Sequence, residues 1–332
     1  QLAGPSITTQ LKSVSQAFFE LGADRSIIDG ALGRKSLGAR SVAEGVILCT
    51  GASYHMSMEK VIADTVHIYR LMNLPKAAEL PPEASDGLEA CVKEHGAALI
   101  TGALTDTMVL PLLRSGVLRN CRLVVKDPSK VLLTADTLDK LASRQVGLET
   151  EEAARTLCIT VNPVSAYGWK FDKDDFLHRM REAVDVPVIA AGGIADGRGV
   201  AAAFMLGAEG IQMGTRFVAS KESIVHENYK ERILKARDID SEVTGMSTGH
   251  PIRVLRNQMT RDYLKLEKEG ASFEELEQLT LGSLRKAVIE GDAVHGSLMA
   301  GQSAGLVKKE QTCQEIIEEV VTDARALLAG RK

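Results

Sequence analysis

The chain is dominated by one alternation. A short, β-branched and almost uniformly apolar run is followed by a glycine-rich or polar turn, and then by a longer stretch with apolar residues at helical spacing. Such runs occur at Ser26–Ala31, Val46–Thr50, Ala97–Gly102, Leu123–Lys126, Leu157–Val161, Pro187–Ala191 and Gly210–Met213. Strands that are apolar throughout need helices on both faces, so the pattern predicts an α/β fold of parallel β/α units. The runs suit a closed barrel and an open sheet equally. A segment rich in proline and small or acidic residues, Pro75–Asp86, reads as a loop joining two sub-blocks, and beyond Phe217 charged helical patterns form a helical tail.

Composition removes several function classes. With 332 residues, 45% of them hydrophobic and 25% charged, the chain can bury one large core or two smaller ones. Lys and Arg number 40 against 44 Asp and Glu, a net charge of -4, so no electrostatic attraction to nucleic acid is expected. The five cysteines, Cys49, Cys91, Cys121, Cys158 and Cys313, are scattered and form no Cys-x-x-Cys pair. Free thiols in a reducing compartment follow, and the expected location is cytoplasmic. No apolar run approaches the roughly 20 residues that span a bilayer, and Gln1–Pro5 is not a secretory leader, so no membrane association is expected. The absence of a starting Met suits a processed product or a fragment.

The most informative segment is Val186–Gly199. An apolar strand runs into Gly192 and Gly193, where missing side chains let backbone N–H groups approach an anion. A small-residue helix follows and ends at Gly207. A second strand, Gly210–Met213, then meets Gly214 and Thr215. Two glycine turns after consecutive strands match the phosphate position between the last two strands of a TIM barrel, where a helix N-terminus commonly helps. A Gly-Gly pair after a strand also serves as an ordinary tight turn. The spacing points to a phosphate and leaves its carrier open.

Pro187–Gly197 and Leu206–Phe217, with Tyr229–Asp240, Gly249–His250, Arg256–Asp262 and Met299–Leu306, resemble the nitronate monooxygenase superfamily, above all its FMN-dependent enoyl-acyl-carrier-protein reductases of the FabK type. The likeness runs from about Val186 to the C-terminus. It implies a C-terminal part of TIM-barrel type and a cofactor, FMN, whose phosphate is held by Gly193 and by Gln212, Met213, Gly214 and Thr215. Gly192 would complete the turn, and Gly301 and Gln302 would lie near the cofactor. NAD(P)H is implied as co-substrate, with a small-molecule or acyl-carrier-protein-linked enoyl thioester to reduce, or a nitronate to oxidise. A homodimer is left open. The catalytic base is not assigned, because the family's Gln-Gly-Gly-Met-like first turn and its central Gly-Gly-His are both missing here. His250 and His295 read as surface or hydrogen-bonding residues, and Arg253, Arg256 and Arg261 as a solvated charged face.

The earlier part of the chain has a different likeness. Ala3–Ser6, Ile27–Ser36, Ile47–Ala52, Met58–Lys60 and Val161–Gly168 resemble the later part of the lysine/ornithine aminomutase reactivase family, which implies an open P-loop-NTPase-like sheet and service to a cobalamin enzyme. Gly30–Ser36 fails the P-loop spacing. Asp29 could hold Mg from a strand end, but capping the next turn is the plainer role. The expectation is therefore a composite of two regions, 1–185 and 186–332, joined near Arg181–Val188. An alternative function follows from it, an ATP-dependent reactivase fragment with an inactive flavoprotein-like half.

Overall fold

The structure, a computed structural model, describes residues 8–29 and 43–330. Ala3–Ser6 and Gly30–Ser36 of the reactivase likeness lie outside the described residues. The helices are α1 (Thr8–Glu20), α2 (Met58–Met72), α3 (Leu88–His95), α4 (Asp106–Arg114), α5 (Ala135–Ser143), α6 (Lys173–Ala183), α7 (Gly197–Met205), α8 (Thr215–Val218), α9 (Glu227–Leu234), α10 (Gln258–Glu269), α11 (Phe273–Thr280), α12 (Ser283–Arg285) and α13 (Cys313–Ala329). The strands are β1 (Val46–Gly51), β2 (Ala97–Ile100), β3 (Leu104–Thr105), β4 (Arg122–Val125), β5 (Val131–Leu132), β6 (Gly147–Thr150), β7 (Thr156–Asn162), β8 (Val188–Ala191), β9 (Gly210–Gln212), β10 (Ser241–Thr244) and β11 (Ile252–Leu255).

The chain divides into two units, Gln1–Leu48 with Ala63–Cys158, and Cys49–Ile62 with Ile159–Lys332. The sequence boundary at 185–186 falls inside the second. In the first unit, β2, β4 and β6 form a parallel sheet with Ala97 opposite Arg122 and Arg122 opposite Gly147, and β3 pairs in parallel with β5. Its core is aliphatic. Leu71, Ala98, Leu104, Leu118, Leu123, Val125 and Leu141 are buried together. Helix α5 forms because Thr134 accepts the N–H of Thr137 at its start while Leu138 and Leu141 turn inward.

In the second unit the strands of the sheet β1-β7-β8-β9 run in parallel from β7 to β9, with Ile159 opposite Val188 and Ile189 opposite Gly210. Crossover helices α6 and α7 make these consecutive β/α units. Helix α6 starts where the Asp172 carboxylate accepts the N–H groups of Asp174 and Asp175, and it buries Phe176, Leu177 and Met180. Helix α13 lies against α7 through Val200, Ala201, Val320 and Ala324. The expected α/β fold with parallel strands and a helical tail is present, and among the described residues the four-stranded sheet is open. The tail also carries an antiparallel pair, β10 and β11.

The described part of one expected strand, residues 26–29, is not formed. Residues 25–29 have no regular structure, and Ile27 is 94% exposed. An apolar pair without a neighbouring strand has nothing to complete its hydrogen-bond ladder. Asp29 is exposed and ends no strand, which removes the basis for a Mg-holding role.

Candidate functional site

The parallel ladder between β8 and β9 sets the geometry. Ala191 lies opposite Gln212, the last residues of their strands, so the turns that follow leave the same sheet edge side by side. Gly192 and Gly193 take φ of 90° and 75°, in the left-handed region that suits glycine. A Cβ at Gly192 would lie 2.7 Å from Asn162 Nδ2, whereas a Cβ at Gly193 or Gly214 would meet no atom within 4 Å. Open space therefore faces both backbones. Neither the Gly193 nor the Gly214 N–H donates a turn or loop hydrogen bond to another backbone group among the described residues.

Thr215 extends this arrangement. Its Oγ1 accepts the N–H of Gly301 at 2.9 Å, which leaves its hydroxyl proton for another acceptor. The Gly301 segment is tied down from behind, because the buried Tyr229 hydroxyl donates to Met299 O at 2.6 Å. Burial holds the Tyr229 hydroxyl well above its ordinary pKa, so it stays a neutral donor. Gln302 is exposed and opens a short 3₁₀ turn, Gln302–Leu306. Gln212 is exposed at the strand end. The Met213 side chain packs with the α7–α13 cluster, so this residue offers the turn its main chain alone.

The structure therefore brings together the turns at Gly192–Gly193 and Gly214–Thr215, and it joins Gly301 to Thr215. A helix N-terminus does not complete the set at α7. The Asp196 carboxylate caps α7 by accepting the N–H groups of Arg198 and Gly199, and Arg198 pairs with it at 2.7 Å. The side-chain hydrogen bond from Arg198 leads the causes that hold Asp196 below the usual carboxylate pKa. Replacing Asp196 by Ala should cost about 1 kcal/mol of stability. Because the folded pKa lies below the unfolded one, the charged part of this contribution is full above the unfolded value of about 3.9 and disappears as pH falls through the lowered folded value. Denaturant titrations of both proteins from pH 7 downward should show the difference shrinking; a difference that grows in acid would contradict the assignment.

Arg216 is 4% exposed and points away from the open turns, toward Lys309 O, Gln311 and Glu319. Backbone groups and one hydroxyl, rather than a cationic side chain, thus define the anion-facing edge. His250 is exposed, and His295 Nδ1 lies 3.3 Å from Asp292. Neither contributes to the glycine turns.

Sequence reasoning did not single out Asn162. Its main-chain oxygen accepts the Ala52 N–H at 2.9 Å, its Oδ1 accepts the Val164 N–H at 3.0 Å, and its amide flanks Gly192. An Asn-Pro pair at the end of an apolar run is the signal that could have drawn attention to this turn. Among the described residues no helix is long and apolar enough to cross a membrane, and no cluster of His, Cys, Asp and Glu could hold a metal ion.

A probable nitronate monooxygenase of Staphylococcus saprophyticus is 37% identical over 150 residues, covering 45% of this chain and 42% of that protein. Its counterpart in Bacillus subtilis is 32% identical over 139 residues, covering 42% of this chain and 40% of that protein. The chain thus spans less than half the length of these curated relatives. FabK from Thermotoga maritima is 30% identical, with a TM-score of 0.47, and the comparison covers 86% of this chain and 94% of that one. The reactivase likeness of the earlier part, and the alternative function drawn from it, gain no support from these comparisons. Residues 169–323 match the nitronate monooxygenase family, a span that begins before the expected start at Val186 and crosses the stretch Arg181–Val188.

Proposed function

We propose that the second unit binds FMN by its phosphate at the paired turns Gly192–Gly193 and Gly214–Thr215, and that the chain serves as an FMN-dependent oxidoreductase. The carrying observation is the register of Ala191 opposite Gln212, which sets two glycine turns side by side with open space before Gly193 and Gly214. The residues fit a phosphate. Main-chain N–H groups can donate to its oxygens, and the Thr215 hydroxyl, already accepting from Gly301, is a donor beside them. Bound FMN would supply reversible acceptance of a hydride or of electrons. The chain's own part is to hold the phosphate, keep Thr215 oriented through Gly301, and fix the second turn through the packed side chain of Met213.

The matched family supports a nitronate as the oxidised substrate, and the sequence likeness supports the alternative of NAD(P)H-driven reduction of an enoyl thioester, small or linked to acyl carrier protein. The proton donor or base is unassigned on either route.

The test is flavin binding by the purified chain. Free and bound FMN are separated by ultrafiltration and read by absorbance, with riboflavin as the ligand lacking phosphate. Gly214→Val should weaken FMN binding about tenfold or more, the effect of losing one charge-assisted contact of about 1.5–3 kcal/mol, and should leave riboflavin binding nearly unchanged. Equal FMN affinity in the variant and the parent would remove the phosphate from these turns.

A further inference from the structure

The loop after β7 carries an aromatic pair that the phosphate reading leaves unused. Tyr167 and Trp169 are stacked, with ring centroids 5.2 Å apart and planes within 9°. Trp169 is the single tryptophan of the chain. Both rings are half-buried, so part of the pair remains open to solvent.

The pair is held by its backbone and by its polar ends. Pro163–Phe171 forms a small hairpin in which the Ser165 N–H donates to Trp169 O at 2.9 Å and the Phe171 N–H donates to Pro163 O at 2.8 Å. Its tip is pinned by the Ala166 N–H donating to Ser53 Oγ at 3.1 Å. Trp169 Nε1–H donates to Ala52 O at 2.7 Å, and the Tyr167 hydroxyl donates to Gly249 O at 2.9 Å. Each ring thus has its polar edge satisfied and one face against the other ring, which leaves the outer face of the pair for a further ring to stack on. Such fixation gives a flat, preorganised surface that loses little freedom when another ring is added.

Position connects the pair to the phosphate turns. The hairpin leaves the sheet at Asn162, the end of β7, and the Asn162 amide flanks Gly192 at the end of β8. Neighbouring strands lie about 4.8 Å apart, so the hairpin root and the Gly214 turn are separated by about two such spacings. A ribityl chain bridges a gap of that order.

We propose that the Tyr167–Trp169 stack is the docking surface for the isoalloxazine ring of the flavin whose phosphate the glycine turns hold. This rests on the FMN reading above and adds the residues that position the ring. Indole and phenol rings are electron-rich and isoalloxazine is electron-poor, which favours face-to-face stacking and quenches flavin emission on contact.

Time-resolved flavin emission on the full-length chain tests this. FMN bound to the parent protein should decay much faster than free FMN. Trp169→Leu should weaken both FMN and riboflavin by about three- to tenfold, the range of one aromatic stacking contact, and should restore a slow decay to the bound flavin. Trp169→Phe keeps a ring in place should the Leu variant fail to fold, and it should restore part of the slow decay. If bound FMN decays like free FMN, or decays equally fast in the parent, Trp169→Leu and Tyr167→Leu, the ring docks elsewhere while the phosphate assignment stands. If FMN does not bind at all, both proposals fall.

Discussion

Phe176→Ala should lower the unfolding free energy of the second unit by about 3–5 kcal/mol, the largest single effect anticipated in this chain. Phe176 is 1% exposed on the inner face of α6, beside Leu177 and Met180, and its ring meets Phe171 edge to face at 5.2 Å. Truncation removes buried apolar area and leaves a cavity that a sheet-backed helix cannot collapse to fill. For a unit of this size each kcal/mol moves the melting midpoint by about 2–4 °C, so calorimetry should show a drop of about 6–20 °C. A change under about 1 kcal/mol would mean that the ring is not packed as described. Because Phe171 closes the hairpin through its bond to Pro163, the same variant should also loosen the Tyr167–Trp169 stack.

Gly197→Val should act through the next crossover helix. Gly197 begins α7 where α13 crosses closest, and an added Cβ would press on Asp323 and lie 2.9 Å from the Ala324 main-chain nitrogen. Backbone cannot move aside as a flexible side-chain tip can. Overpacking of this kind costs about 1–3 kcal/mol. The α7–α13 cluster also seats Met213, so displacing α13 should disturb the Gly214 turn and weaken FMN together with stability. Denaturant unfolding and FMN titration of the one variant check both effects. Parent-like stability would show that α13 packs less closely than the structure has it.

The fold was legible where side chains alone decide the strand. Val46–Thr50, Pro187–Ala191 and Gly210–Met213 are apolar at most of their positions and became β1, β8 and β9 within one or two residues. Gly147–Thr150 and Ser241–Thr244 could not be read that way, because each has one aliphatic residue and is a strand through its neighbours' hydrogen bonds. Ile27 and Ile28 failed in the opposite sense, having the right side chains and no strand beside them. At the candidate site the glycine turns were visible as breaks after apolar runs. The support for Thr215 and the aromatic pair was not, since Gly301 binds across 86 positions and Trp169 reaches Ala52 across 117. Contacts at such separations leave no periodic trace in a single chain.

The two glycine bends are spaced by rungs of the same ladder, not by free loops. Thermal motion carries neighbouring rungs together, so the gap between the bends should vary less than either bend's absolute position. A ligand fastened there would meet a receptor of fixed bite, with recognition governed by shape and rate of arrival instead of by waiting for a rearrangement.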